Sequence, residues 1–263
     1  MSASARPVSL GPLQLAHPLV LAAGPLSGDA ASIRAAFDAG FAAVVTRTVS
    51  RHPHSGSSQV ISQQAETMTY RGRWVSPRVT PWLRSLAPLQ ERPGPLLISI
   101  GPTIEDVIAV AEEAAEFGCD ALELVSETPD DLVAMVQEAR RRVDLPLFAK
   151  LGGHWAHWSA VAGRCLHAGA TGITVTDAIP QGADSYQAGA ALKPVALAAV
   201  ASIARAHQAP IIGVGGVASA QDVIDLLQAG ASAVGLCTAP LLHGLGVVQA
   251  ILAELAQRSG ARV

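Results

Sequence analysis

Four strings in this chain are variations on one theme. DAGFAAVV, EFGCDALEL, HAGATGITV and QAGASAVGL each run a helical pattern into a glycine (Gly40, Gly118, Gly169, Gly230) and then into an apolar run. Glycine adopts the left-handed conformation that closes a helix without a Cβ clash. A chain punctuated in this way alternates helices and strands joined by short turns. Eight apolar runs fit the strands: 18–24, 42–48, 95–101, 120–126, 145–151, 172–177, 209–215 and 233–238. They are near-continuous rather than alternating, the pattern of strands buried on both faces of a parallel sheet. Between them, 30–39, 104–117, 131–141, 155–168, 194–206, 220–229 and 247–257 carry apolar residues at helical spacing. Thr103 and Ser219 sit at helix starts with acidic residues in the first turn, and Pro194 suits a first helical position. Eight such units predict an α/β fold closed as a (β/α)8 barrel, the TIM-barrel architecture, over a single domain spanning 1–263. An open doubly wound sheet is the alternative, and eight parallel strands without a second domain favour closure.

Two segments break the rhythm. Residues 7–16 (PVSLGPLQLA) read as a short N-terminal hairpin that plugs the bottom of the barrel. Residues 49–94 form a long insertion after the second strand, read as a loop over the top face that ends in a helical TPWLRSLAPL.

Composition removes several function classes. The net charge is −3, which argues against a nucleic-acid surface. No apolar run is long enough for a membrane span, and His17 and Pro18 interrupt the N-terminal apolar stretch, against a secretory signal. Cys119, Cys165 and Cys237 are odd in number and widely spaced, neither a disulfide framework nor a zinc site, and fit a reducing cytoplasm. The partner expected is a small-molecule substrate, with no metal, nucleic acid or membrane.

In such a barrel the strand C-termini face the active site. After strands seven and eight, IIGVGG and AVGLCTA present Gly213, Gly215, Gly216 and Thr238, a candidate phosphate cradle. Lys150 ends strand five. It is one of only two lysines among 18 basic residues, and a lysine offers a compact charge with a tunable pKa where arginine does not. It can serve as a cation against a reduced flavin, a Schiff-base amine or a phosphate partner, and in every case a buried ammonium needs an anionic or polar neighbour. After strand four, SETPDD sets a hydroxyl beside three carboxylates: Asp130 and Asp131 read either as pocket residues or as the start of the next helix, and Glu127 and Thr128 as pocket residues. His154 and His157 in GGHWAHW read as rim or surface residues.

Along nearly its whole length the chain resembles the dihydroorotate dehydrogenase family of FMN-dependent barrels. HPLVLAAG resembles that family's NPxxLASG, AAVVTRT its AxVTKT, DALELVSETPD its DALELNxSCPN, PLFAKL its PxxxKL and AGAALKPVAL its SGxAIKPxAL. The longest match is PIIGVGGVASAQDVIDLLQAGASAVGLCTA. The resemblance implies FMN as cofactor. It places Ala22, Ala23, Gly24, Arg47, Thr48, Lys150, Thr176, Gly189, Gly215, Gly216, Cys237 and Thr238 around it. Thr128 falls where the family carries its Cys or Ser base, so Thr128 and Lys150 are the expected catalytic residues. By analogy with the family, the chain forms a homodimer.

The departures fall on the substrate side. The family binds orotate through asparagines, where this chain reads Val125, Asp130 and Asp177, and the family's lysine after strand two is Arg47. Glu127, Asp130 and Asp177 are the expected substrate-binding residues. A carboxylate ~4 Å from orotate's own costs about 4 kcal/mol at an effective dielectric of 20, roughly a thousandfold in affinity. The expectation is therefore an FMN-dependent oxidoreductase acting on a CH–CH group of a small heterocyclic or unsaturated compound other than dihydroorotate. The alternatives are a true dihydroorotate dehydrogenase of pyrimidine biosynthesis, a flavin-binding subunit without turnover, and a Schiff-base lyase using Lys150.

Overall fold

The computed structural model describes residues 6–53, 59–71, 76–182 and 184–260. After a hairpin of β1 (Val8–Leu10) and β2 (Leu13–Leu15) come β3 (Leu19–Leu21), α1 (Ala30–Ala39), β4 (Ala43–Val45), β5 (Gln59–Gln64), β6 (Thr67–Arg71) and α2 (Val79–Ser85). Next are β7 (Leu96–Ile100), α3 (Ile104–Phe117), β8 (Ala121–Val125), α4 (Pro129–Arg142), β9 (Leu147–Gly152), α5 (Trp158–His167) and β10 (Gly172–Asp177). The chain continues with β11 (Ile179–Gly182), β12 (Ser185–Gly189), α6 (Lys193–Ala206), β13 (Ile211–Val214), α7 (Ala220–Ala229), β14 (Ala233–Leu236), α8 (Thr238–His243) and α9 (Val247–Gly260).

Strands β3, β4, β7, β8, β9, β10, β13 and β14 are parallel and close into a barrel in that order. All eight are the apolar runs of the sequence. Gly40, Gly118 and Gly230 close their helices in the left-handed conformation and hand the chain to the next strand. Thr103 and Ser219 each form a capping box with the aspartate three residues on, which fixes where α3 and α7 begin.

Alternation along the strands sorts the two cores. On β9, Leu147, Ala149 and Leu151 pack outward among the helices, while Phe148 joins the barrel interior. Leu10, Leu13 and Leu15 of the hairpin belong to that same interior cluster, with Leu97, Ala121, Ile212 and Ala233. Gly11 lies against Thr171 and Pro210, which immediately precede β10 and β13. The hairpin therefore closes the N-terminal end of the barrel.

The insertion differs from its expected form. Its helical segment is α2, but its middle is not a loop. Strands β5 and β6 form a hairpin that pairs with β12 and β11, giving an antiparallel sheet in the order β11–β12–β6–β5. This sheet roofs the C-terminal end of the barrel. Two helix starts also shift. α4 begins at Pro129 because Thr128 caps it, and α5 begins at Trp158 after His157, which takes a left-handed conformation. The short helix α8 was not expected, since six residues are too few to show a period.

Candidate active site

Between the strand ends and the roof lies a cavity of about 1120 Å³, counting its open mouth. Of the residues named from sequence, Ala23, Gly24, Arg47, Thr48, Lys150, Thr176, Asp177, Gly189, Gly215, Gly216, Cys237 and Thr238 line it. Ala22 is buried one residue behind the wall, its N–H donating to Leu236 O at 2.9 Å. Glu127, Thr128 and Asp130 are not among the lining residues.

Thr128 needs correction as a base. Its hydroxyl donates to Asp131 Oδ2 at 2.7 Å and accepts from Asp131 N–H at 3.2 Å, so it is the N-cap of α4 and exposed. Asp130 pairs with Arg164 on the surface at 2.6 Å, and Glu127 is exposed. The physical reason is length. Only residues 126–128 connect β8 to α4, so the segment has no reach over the cavity. Replacing Thr128 with alanine is expected to cost about 1 kcal/mol, the usual loss of such a cap. Cofactor binding should be unchanged, read by parallel denaturation and flavin titration. His154 and His157 are exposed and off the cavity wall.

At one end of the cavity the wall is bare backbone. A Cβ on Gly215 would meet Leu192, Ala196 and Thr176 at 3.2–3.3 Å. These glycines thus let the β13 turn pack against α6 while its other side lines the cavity. Thr238, at the head of α8, and Cys237 come from the end of β14. Burial raises the Cys237 thiol pKa; Lys150 opposes this and Asp177 adds to it. At neutral pH this favours the thiol over the thiolate.

The barrel interior beneath the cavity holds a polar series. Thr48 Oγ1 and Ser99 Oγ are 2.9 Å apart, and Ser99 Oγ donates to Glu123 Oε1 at 3.3 Å. Lys150 Nζ stands 3.6 Å from Glu123 Oε1 and 3.4 Å from Asp177 Oδ1. Burial pulls the Lys150 pKa down, but Asp177 and Glu123 together outweigh it and leave it raised. At neutral pH the ammonium is held in its charged form. An amine that must be neutral to attack a carbonyl is the wrong reading of this lysine.

The roof adds residues the sequence reading missed. Glu66, Met68, Tyr70 and Ala188 line the cavity from above. Tyr70 stacks on Tyr186, its cross-strand partner, with ring centroids 5.7 Å apart. Burial, then the Asp177 charge, raises its pKa, so the phenol keeps its proton. The β5–β6 turn is tied down by His243 Nε2 to Glu66 Oε1 at 2.8 Å and by Ala190 N–H to Glu66 O at 2.9 Å. No local pattern marked Tyr70. Glu123 did carry a signal, as the one charged residue in the strand ALELV.

These residues fit a flavin mononucleotide. Gly215, Gly216 and the Thr238 hydroxyl line the cavity with the kind of donors a phosphate takes. Lys150, held by Glu123 and Asp177, puts an ammonium on the same cavity wall, a cation suited to a group that gains negative charge on reduction. The family model described as dihydroorotate dehydrogenase matches residues 118–258, more than half of the chain. The chain is also similar to curated proteins named dihydroorotate dehydrogenase B (NAD(+)), catalytic subunit. That of Thermoplasma acidophilum is 25% identical over 94% of this chain and 91% of its own length. That of Methanothermobacter thermautotrophicus is 26% identical over 88% and 86%, and that of Thermococcus kodakarensis 31% over 60% and 61%. A closed eight-stranded barrel, an anchored ammonium and these matches agree: the chain belongs to the dihydroorotate dehydrogenase family, FMN-dependent oxidoreductases that act on CH–CH donors.

Proposed function

We propose that the chain, as one FMN-binding domain, oxidises or reduces a carbon–carbon bond in a small neutral or cationic unsaturated compound, and that dihydroorotate is not its substrate. One observation carries this reading. Asp177, where the family places an asparagine, puts a carboxylate on the cavity wall 3.4 Å from Lys150. Bound FMN supplies two-electron chemistry. Gly215, Gly216 and Thr238 hold its phosphate, and Ala23, Gly24, Thr48, Thr176 and Gly189 enclose the rest. Lys150 stands by the charge of the reduced form, Asp177 selects against an anionic substrate, and Tyr70 Oη holds a proton within the cavity. Thr128, at the position of the family's base, gives its hydroxyl to Asp131 at the start of α4, which supports a reaction that does not use it as the base.

The test is a binding and turnover assay on FMN-loaded protein. We expect no dihydroorotate oxidation and negligible orotate binding by the natural chain. Asp177→Asn should raise orotate affinity by roughly ten- to a thousandfold, the upper figure being the repulsion removed at an effective dielectric of 20. Rapid dihydroorotate turnover by the natural chain contradicts the reading and returns the site to the reaction that the relatives' names state. Those names also call the relatives catalytic subunits, which supports a second protein subunit as electron partner. Among the described residues no helix is long and apolar enough to cross a membrane, and we place the reaction in the cytoplasm.

A further inference from the structure

We propose that Glu123 is a positioning residue for Lys150: a carboxylate sealed inside the barrel wall that fixes the ammonium and sets how much positive charge the wall presents to the cofactor. The proposal rests on the FMN reading of the cavity.

The series crosses adjacent strands in order. Thr48 follows β4, Ser99 lies on β7 directly opposite Glu123 on β8, and Val125 of β8 is opposite Lys150 on β9. Glu123 is 1% exposed, with Leu122 and Leu124 fully buried on either side. A buried carboxylate is costly unless paired, and Asp177 already supplies Lys150 with a counter-charge at 3.4 Å. A second carboxylate is therefore more than neutralisation requires. One ammonium between two carboxylates leaves that part of the wall with an excess of one negative charge. The groups facing Lys150 are Glu123, Asp177 and Cys237, and the thiol is protonated.

Two consequences follow. Removing the Glu123 charge leaves burial to pull Lys150 towards neutrality against Asp177 alone. It also makes the wall more positive beneath a cofactor that gains negative charge on reduction, so the reduced form is favoured.

The test exploits the lysine count. The chain holds only Lys150 and Lys193, and Lys193 is paired separately with Asp222 and Asp225. Isotope-labelled lysine then gives two side-chain ε-methylene NMR signals, one of them an internal control. In the natural protein the Lys150 signal should stay untitrated past the usual lysine range. In Glu123→Gln it should titrate at least about tenfold more readily, one pH unit lower, with Lys193 unmoved. In FMN-loaded protein the same variant should shift the two-electron reduction equilibrium at least about tenfold towards the reduced form, or ~30 mV upward. Glu123→Asp keeps the charge, should lie between the two on both readouts, and carries the test if the glutamine variant does not fold. Folded variants with both readouts unchanged would overturn the proposal. A moved lysine with an unmoved potential overturns the tuning role. If the natural protein takes up no FMN, the cofactor reading fails, while the lysine titration still decides whether Glu123 holds Lys150.

Discussion

Replacing Lys150 with methionine is expected to destabilise the fold by about 3–5 kcal/mol, the cost of stranding one partner of a buried ion pair. Glu123 is 1% exposed, and it would keep a hydrogen bond from the Ser99 hydroxyl in place of the ion pair. Denaturant unfolding measures the loss. Adding Glu123→Gln to Lys150→Met should return much of it, because the double variant leaves no unpaired carboxylate sealed in the barrel wall, while Asp177, about a third exposed, can be solvated. An additive double variant would mean the two residues do not act as a pair. The pH dependence has a definite sign. Lys150 has its pKa raised in the fold, so its contribution is fully present below the unfolded value of about 10.4. It is lost only as pH climbs through the still higher folded value. Stability between about pH 6 and 9 should therefore show no step from this group.

Gly216→Val should abolish tight FMN binding, by about a hundredfold or more. Gly216 has φ +69°, where a side chain is strained by about 1–3 kcal/mol. A Cβ there would also lie 2.7 Å from Lys193 Cβ, 2.9 Å from its backbone nitrogen and 3.1 Å from Ala190 O. None of the backbone atoms can yield without moving the start of α6, so the turn must move into the cavity instead. Fluorescence titration with FMN reads the effect, since a hundredfold corresponds to roughly 2.7 kcal/mol. Gly246→Ala is the matched control. A Cβ there meets nothing within 4 Å, and the affinity should stay within a factor of two or so. Equal affinities for both variants would mean that the β13 turn is not part of the cofactor site.

Both predictions concern residues that the sequence itself marks. Strands buried on both faces leave unbroken apolar runs, and β8 or β10 can be read from such runs without their neighbours. Thr103 and Ser219 announce their helices through local hydrogen bonds, which depend only on residues three apart. The roof could not be read in this way. Its β6–β12 register joins Thr67–Arg71 to Ser185–Gly189, and nothing in either segment encodes a partner so far along the chain. β5 is exposed throughout and shows no apolar alternation, so Tyr70 and Glu66 entered the site unannounced. At Thr128 the local signal was present and outweighed by resemblance. A threonine followed three residues later by an aspartate is a cap, and the short β8–α4 connection confirms that role.

Glu123 teaches the converse. A glutamate between leucines in a buried strand is costly enough to require a partner. Lys150, on the neighbouring strand β9 and two positions further along the register, required one too. Each was visible alone, and only closure of the barrel brings them to 3.6 Å.

The most direct measurement is the identity of the small molecule carried by the purified chain, taken from its visible absorbance and its mass after release. FMN is expected, bound in stoichiometric amount or taken up on incubation with the free cofactor. A colourless protein that stays colourless after that incubation would contradict it.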